Sequence, residues 1–180
     1  MSFDSDFPSL LAAARRGDER AWTVVYREYS PPVLRYLRGQ GAREPEDLLA
    51  EVFLQVVRNL PNFEGTARDF RTWVFMIAHS RLIDGRRSVG RNREDPVSDD
   101  VLTAVAGSGH AEDDAMRRIG NQQVMAVLDR LTPDQRDVLF LRLFAQLTVQ
   151  ETARVVRKRP GAVKALQSRG IATIRRRMSE

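Results

Sequence analysis

The chain of 180 residues contains no cysteine, which excludes disulfides, thiolate metal sites and thiol redox sensing within it. No apolar run approaches the roughly 20 residues needed to span a bilayer. The start does not read as a signal peptide either, because Ser2 to Phe7 carries two aspartates and no basic residue before the short run Leu10 to Ala14. A soluble, cytoplasmic protein that avoids membranes is therefore expected. Strand signals are almost missing: no stretch alternates β-branched and polar residues between hairpin turns, so the fold class is predicted as all-α. The chain has only two histidines, His79 and His110, far apart in sequence and with no ligand-spaced acidic partner. His79 and Asp84, five residues apart, do not share a helix face well. Gly107-Ser108-Gly109 precedes no strand-helix unit, so it does not form a phosphate loop. These absences predict no metal, no cofactor and no catalysis by the chain alone.

What the sequence does carry is positive charge, unevenly placed. The formal net charge is +5 and the pI is near 10.3, which favours an acidic partner, with nucleic acid the first candidate. Residues 1–91 hold 14 Lys/Arg against 12 Asp/Glu, so cations there matter by position. Residues 92–115 hold one basic and seven acidic residues, few large apolar ones and a Gly-Ser-Gly, the composition of a flexible linker. From Met116 to Met178 the count is 14 Lys/Arg against 4 Asp/Glu, a formal +10. A phosphate-seeking field is thus concentrated in one small unit. Two small helical domains, 1–91 and 116–180, joined by the acidic linker 92–115, are the expected organisation.

Helix signals fill both domains. A first helix is predicted over about Pro8 to Arg16, ended by Gly17, and Asp18 can cap a second from near Glu19. Pro31-Pro32 is expected to kink or interrupt that second helix. A third opens at Pro45 with Glu46 and Asp47 in its first turn, where carboxylates suit the helix dipole. Its stripe Leu48, Leu49, Val52, Phe53, Val56, Val57 and Leu60 is expected to be buried, leaving Asp47, Glu51, Gln55 and Arg58 as a polar face. After the break Pro61 to Thr66, a fourth helix is predicted from about Arg68 to Arg87, basic at its far end through Arg81, Arg86, Arg87 and Arg91. Beyond the linker, a helix is expected over Met116 to Leu131, then a capping box at Thr132 and Gln135.

A second capping box, Thr148 with Glu151, starts a short helix near Val149. The turn Arg157-Lys158-Arg159-Pro160-Gly161 follows it, and a basic helix begins near Pro160. There Val163, Leu166, Gly170, Ile171 and Ile174 share one side, while Lys164, Ser168 and Arg169 point away. This is the pattern of a helix-turn-helix whose second helix enters the major groove of DNA.

Four segments in order, DLLAEVFLQVV (Asp47 to Val57), FRTWVFMIAHSRLIDGRR (Phe70 to Arg87), LTPDQRDVLFLRLFAQLTVQETA (Leu131 to Ala153) and GAVKALQSRG (Gly161 to Gly170), resemble a small bacterial sigma factor of the extracytoplasmic function group. That group has only sigma domains two and four, so the resemblance assigns them to 1–91 and 116–180. It implies docking of Asp47, Glu51, Gln55 and Arg58 on core RNA polymerase, and an anti-sigma factor as a further partner. It also implies contact of Asn62, Phe63, Arg68, Arg71, Arg81, Arg86 and Arg87 with the melted minus-ten element of promoter DNA. The minus-thirty-five element would be met by Arg159, Lys164, Ser168, Arg169, Arg175 and Arg176.

Arg157 stands where such proteins usually have glycine, Arg159 where a Ser or Thr cap is usual, Ala162 where threonine is, Ser80 where asparagine is and Ala50 where glutamine is. Phe63 and Trp73 can stack on bases or serve as core; for Trp73 the core role is favoured. The competing expectation is an autonomous helix-turn-helix regulator whose first domain binds a ligand or a second copy.

Overall fold

Capping chemistry fixes where each helix begins and ends, and apolar stripes then decide how the helices pack. A computed structural model describes residues 3–91, 128 and 130–178. It holds α1 (Phe3–Arg15), α2 (Glu19–Gly39), α3 (Pro45–Asn59), a single 3₁₀ turn at Leu60–Asn62, α4 (Ala67–Arg91), α5 (Pro133–Leu143), α6 (Val149–Val155) and α7 (Pro160–Met178), with no strand among the described residues. The linker 92–115 and most of the helix expected over Met116 to Leu131 lie outside the described residues.

Helix α2 runs through Pro31 and Pro32 as one helix, so of the two expected outcomes, a kink or an interruption, the interruption does not occur. Each proline removes an intrahelical hydrogen bond at a cost of about 3 kcal/mol. Against that, α2 buries Val25, Val33 and Leu37 almost completely, at roughly 1.5–3 kcal/mol each, and adds the buried rings of Tyr29 and Tyr36. The stripe outweighs the prolines, of which Pro31 faces solvent.

In the N-terminal unit Phe70 of α4 is the centre of an aromatic cluster. Its ring centroid lies 5.4 Å from Phe7, 5.1 Å from Tyr29, 5.1 Å from Phe63 and 5.4 Å from Trp73. Phe63 is 8% exposed and Trp73 half-buried, so both act as core rings in this arrangement. Trp22 donates from Nε1 to the Ala14 carbonyl at 3.0 Å, tying the end of α1 to α2.

The start of α4 carries a cap that the sequence reading passed over. The Thr66 hydroxyl accepts from the Asp69 amide at 3.2 Å, and the Asp69 carboxylate accepts from the Thr66 amide at 3.0 Å. The Thr66 hydroxyl and backbone together hold the Asp69 carboxyl below its ordinary value.

The C-terminal unit is built from α5, α6 and α7. Both expected capping boxes form: Thr132 with Gln135, and Thr148 with Glu151. The two units share one continuous apolar cluster and meet where α4 touches α6 and α2 touches α5.

Three helix ends close with the same paired hydrogen bonds. After α1, Gly17 bonds to Ala14 O and Asp18 to Ala13 O; after α2, Gly41 bonds to Arg38 O and Ala42 to Leu37 O. After α6, Arg157 bonds to Arg154 O at 3.4 Å and Lys158 to Ala153 O at 3.0 Å. This motif needs a left-handed residue at its hinge. Gly17 and Gly41 supply it at φ 84° and 71°, but at the third it is Arg157, at φ 53°.

A side chain held there costs roughly 1 kcal/mol or slightly more. Arg157→Gly should therefore stabilise the protein by about 0.5–1 kcal/mol, after the extra unfolded-state freedom of glycine is subtracted. Calorimetry should show Tm rising by about 1–4 °C; an unchanged or lowered Tm would mean that the Arg157 side chain contributes more than its backbone strain costs.

Candidate nucleic-acid interface

The sequence-predicted residues fall on three surfaces. On α3, Asp47, Glu51 and Arg58 are exposed along one face, and Gln55 beside them is half-buried. That face is not purely polar: Leu54 is 55% exposed and Val57 47%. Val57 was expected inside; it sits one turn from Leu54 on the outer side, while Leu49, Val52, Phe53 and Val56 fill the inner one. Leu54 and Val57 went unrecognised because a stripe wider than the helix can bury looks continuous in sequence. The outer face of α3 is thus a mixed surface of carboxylate and apolar groups.

The second surface gathers the 3₁₀ turn and α4. Asn62 is exposed at the turn. The chain on both sides of it is held by Arg15, which donates from Nε to Leu60 O at 3.3 Å and from its terminal nitrogen to Phe63 O. Each described cation of this group already has an acceptor. Arg68 pairs with Glu151. Arg71 bonds to Glu28 at 3.2 Å and lies 5.7 Å from the Tyr29 ring centroid. Arg81 donates to the Gln55 side chain, joining this surface to the α3 face. Arg86 donates to the Gln40 carbonyl at 2.7 Å and to its side-chain oxygen at 3.1 Å. Arg87 continues the same helix.

The third surface is α7. Val163 and Leu166 are buried against α5 and α6, which turns Arg159, Lys164, Ser168, Arg169, Arg175 and Arg176 outward, all exposed. Lys164, Ser168 and Arg175 also line one shallow concavity with Gln167. Gln167 is fixed from behind by Arg142 Nε at 3.2 Å, and Lys158 in the turn pairs with Asp134 of α5 at 2.8 Å. Arg159, Lys164 and Arg169 have no ion pair among the described residues. Exposed cations along one helix, with a serine between them, are what phosphate gripping and groove reading require.

A polar trio joins the N-terminal and C-terminal units, unforeseen because its members are scattered over the sequence. Tyr36 donates its hydroxyl proton to Asp137 Oδ1 at 3.1 Å, and its oxygen lies 2.8 Å from His79 Nδ1. With that proton committed, His79 Nδ1 is the donor to Tyr36. Burial lowers the pKa of His79, although Asp137 at 3.8 Å opposes the shift. Burial likewise raises that of Asp137 and that of Tyr36. His79 therefore faces Asp137 and Tyr36.

Known proteins share both halves of this arrangement. The family model of sigma-70 region 2 matches residues 25–92, and that of sigma-70 region 4 matches residues 121–174. The ECF RNA polymerase sigma factor BldN of Streptomyces coelicolor is 34% identical over 169 residues; the match takes in 93% of this chain but only 64% of BldN. The ECF RNA polymerase sigma factor ShbA of Streptomyces griseus is 30% identical over 176 residues, 93% of this chain and 92% of ShbA. Among solved structures, the sigma factor RpoE of Bartonella quintana, in complex with the anti-sigma factor NepR, superposes with a TM-score of 0.72 at 16% identity, covering 88% of this chain and 96% of that one. At that identity the likeness is one of fold.

If Lys164 and Arg169 grip phosphate, replacing both with alanine weakens binding to duplex DNA and lowers the steepness of log K against log salt by about two, one for each lost contact. Fluorescence anisotropy titrations from low to high salt measure the slope; an unaltered slope with both alanines in place excludes these residues from the phosphate contacts.

Proposed function

The chain belongs to the extracytoplasmic function group of the sigma-70 family, and on that basis we propose that it is the dissociable subunit that gives core RNA polymerase its promoter choice. Residues 1–91 act as sigma domain two, 92–115 as the tether and 116–180 as sigma domain four. The outer face of α3, with Asp47, Glu51, Gln55 and Arg58 joined by Leu54 and Val57, docks on the polymerase. The surface from Asn62 to Arg87 holds the opened minus-ten strand, and the α7 row from Arg159 to Arg176 reads the minus-thirty-five duplex. The protein supplies no polymerisation chemistry and works in the cytoplasm, where the polymerase is. An anti-sigma factor restrains it by covering the α3 face, the α7 row or both.

One observation supports this reading above the others: a single chain presents an acidic and apolar face on α3 and, separately, an exposed cationic row on a helix-turn-helix. A self-sufficient DNA-binding regulator leaves the first unexplained. Exposed apolar side chains beside carboxylates suit a protein partner, since DNA would repel the acids and gain nothing from the leucine and valine.

Reversing the charge at Asp47 and Glu51, by Asp47→Lys with Glu51→Lys, should abolish co-purification with core polymerase while the helical circular-dichroism signal stays intact. Both side chains are exposed, so the fold has little reason to change. Retained co-purification by a folded double variant would remove the docking assignment from α3.

A further inference from the structure

The turn between α3 and α4 is held by a residue that belongs to neither helix. Arg15, the last residue of α1, reaches it across 45 and 48 residues of sequence, with Nε on Leu60 O at 3.3 Å and a terminal nitrogen on Phe63 O. Leu60 O also accepts from the Phe63 amide at 3.1 Å, so one guanidinium closes over both ends of the 3₁₀ turn. Between those two carbonyls stand Pro61 and Asn62, both exposed. Asn62 is the residue of this turn assigned to the opened strand.

Local devices fix the connection on either side of these two residues, but not at them. Upstream, Leu60 is buried at the end of α3. Downstream, the Phe63 ring packs 5.1 Å from Phe70 and 5.0 Å from Trp73. Gly65 then takes φ 145°, where an added Cβ would lie 2.8 Å from the Asp69 Cβ, and the Thr66–Asp69 cap follows. At the middle, Pro61 has no amide hydrogen to donate. The clamp from α1 spans this weakest stretch.

Arg15 is itself well founded. Leu11 and Ala14 of the same helix are buried, Ala14 O accepts from the Trp22 indole at 3.0 Å, and the paired bonds of Gly17 and Asp18 close the helix end. Its acceptors in the turn are two backbone carbonyls, which a planar fork of donors can meet together while an ammonium offers a single nitrogen. What the side chain fixes is therefore backbone position. Helix α1 also precedes residues 25–92, which the region 2 model matches.

Resting on the assignment of the minus-ten surface above, we propose that Arg15 is a positioning residue for capture of the opened strand. By clamping Leu60 O and Phe63 O it sets the turn in the shape in which Asn62 meets the strand, and it touches the loop rather than the nucleic acid. Without the clamp the turn must be ordered as the strand binds, and that cost is subtracted from affinity. A turn correctly set for about 10–20% of the time binds about five- to tenfold less tightly.

Two variants of the full chain, assembled with core RNA polymerase, test this. Arg15→Ala removes the clamp, and Arg15→Lys keeps the charge but loses the fork. The probe is a fluorescent single-stranded oligonucleotide carrying the non-template sequence just upstream of a start site mapped by run-off transcription, with core polymerase alone as the baseline. Because the chain has no cysteine, a spin label at the exposed position of Glu64→Cys reports the mobility of the connection separately.

Arg15→Ala should weaken strand binding about five- to tenfold, and Arg15→Lys nearly as much. The salt dependence of strand binding should keep its slope, because no phosphate contact is lost. Affinity for duplex DNA through α7 should stay at the parental value, and the spin label should gain mobility in the Arg15→Ala background. Full affinity restored by Arg15→Lys, or a slope reduced by about 0.7, would make Arg15 a direct phosphate contact and overturn the positioning role. A lowered Tm with parental strand affinity would assign Arg15 to the fold alone and overturn it equally. If the parental assembly binds the oligonucleotide no better than core polymerase does, or no start site is found, the minus-ten assignment itself fails and the role of Arg15 falls with it.

Discussion

The buried stripe of α2, from Val25 through Tyr29, Val33 and Tyr36 to Gly39, is the constraint on which the rest depends. Its packing keeps a helix continuous through two adjacent prolines, and that continuity carries the stripe from the aromatic cluster around Phe70 to the seam with the C-terminal unit. Tyr36 shows the coupling within one side chain: its ring is fully buried against Phe75 at 5.8 Å, while its hydroxyl reaches Asp137. Had the prolines ended the helix, Gly39 would not lie under Phe140 and α2 would not share an edge with the C-terminal unit.

The two surfaces proposed to meet DNA differ in how their cations are held, and the difference suits their proposed tasks. On α7, Arg159, Lys164 and Arg169 have no ion pair among the described residues and stand on a helix braced by Arg142, Gln167 and the Lys158–Asp134 pair. Such a row is ready for duplex DNA, whose regular phosphate spacing needs no rearrangement of the protein. On α4, Arg68, Arg71, Arg81 and Arg86 are all engaged by the protein's own acceptors. Binding a melted strand there exchanges internal partners for phosphates, which lowers affinity but makes engagement conditional on whatever frees them.

Much of this was legible in the sequence wherever a local rule decides. Thr132 with Gln135, Thr148 with Glu151, Pro45, Pro160, Gly17 and Asp18 each act on a backbone only a few residues away, and the helix ends fall where they dictate. The outward turn of Lys164, Ser168 and Arg169 followed from 3.6-residue periodicity for the same reason. The misses share a different cause. The prolines of α2 were overruled by tertiary packing, Val57 was exposed because α3 has more apolar residues than inner face, and the Thr66–Asp69 cap was hidden in what read as a break. The partners of His79 and Arg68 lie 58 and 83 residues further along, beyond the reach of any periodicity.

Directed initiation is the central claim, and run-off transcription with purified core RNA polymerase on genomic fragments tests it most directly. Adding the chain is predicted to produce discrete transcripts from start sites that core enzyme alone does not use. Transcript patterns identical with and without the chain on every template would contradict its assignment as a promoter-selecting subunit.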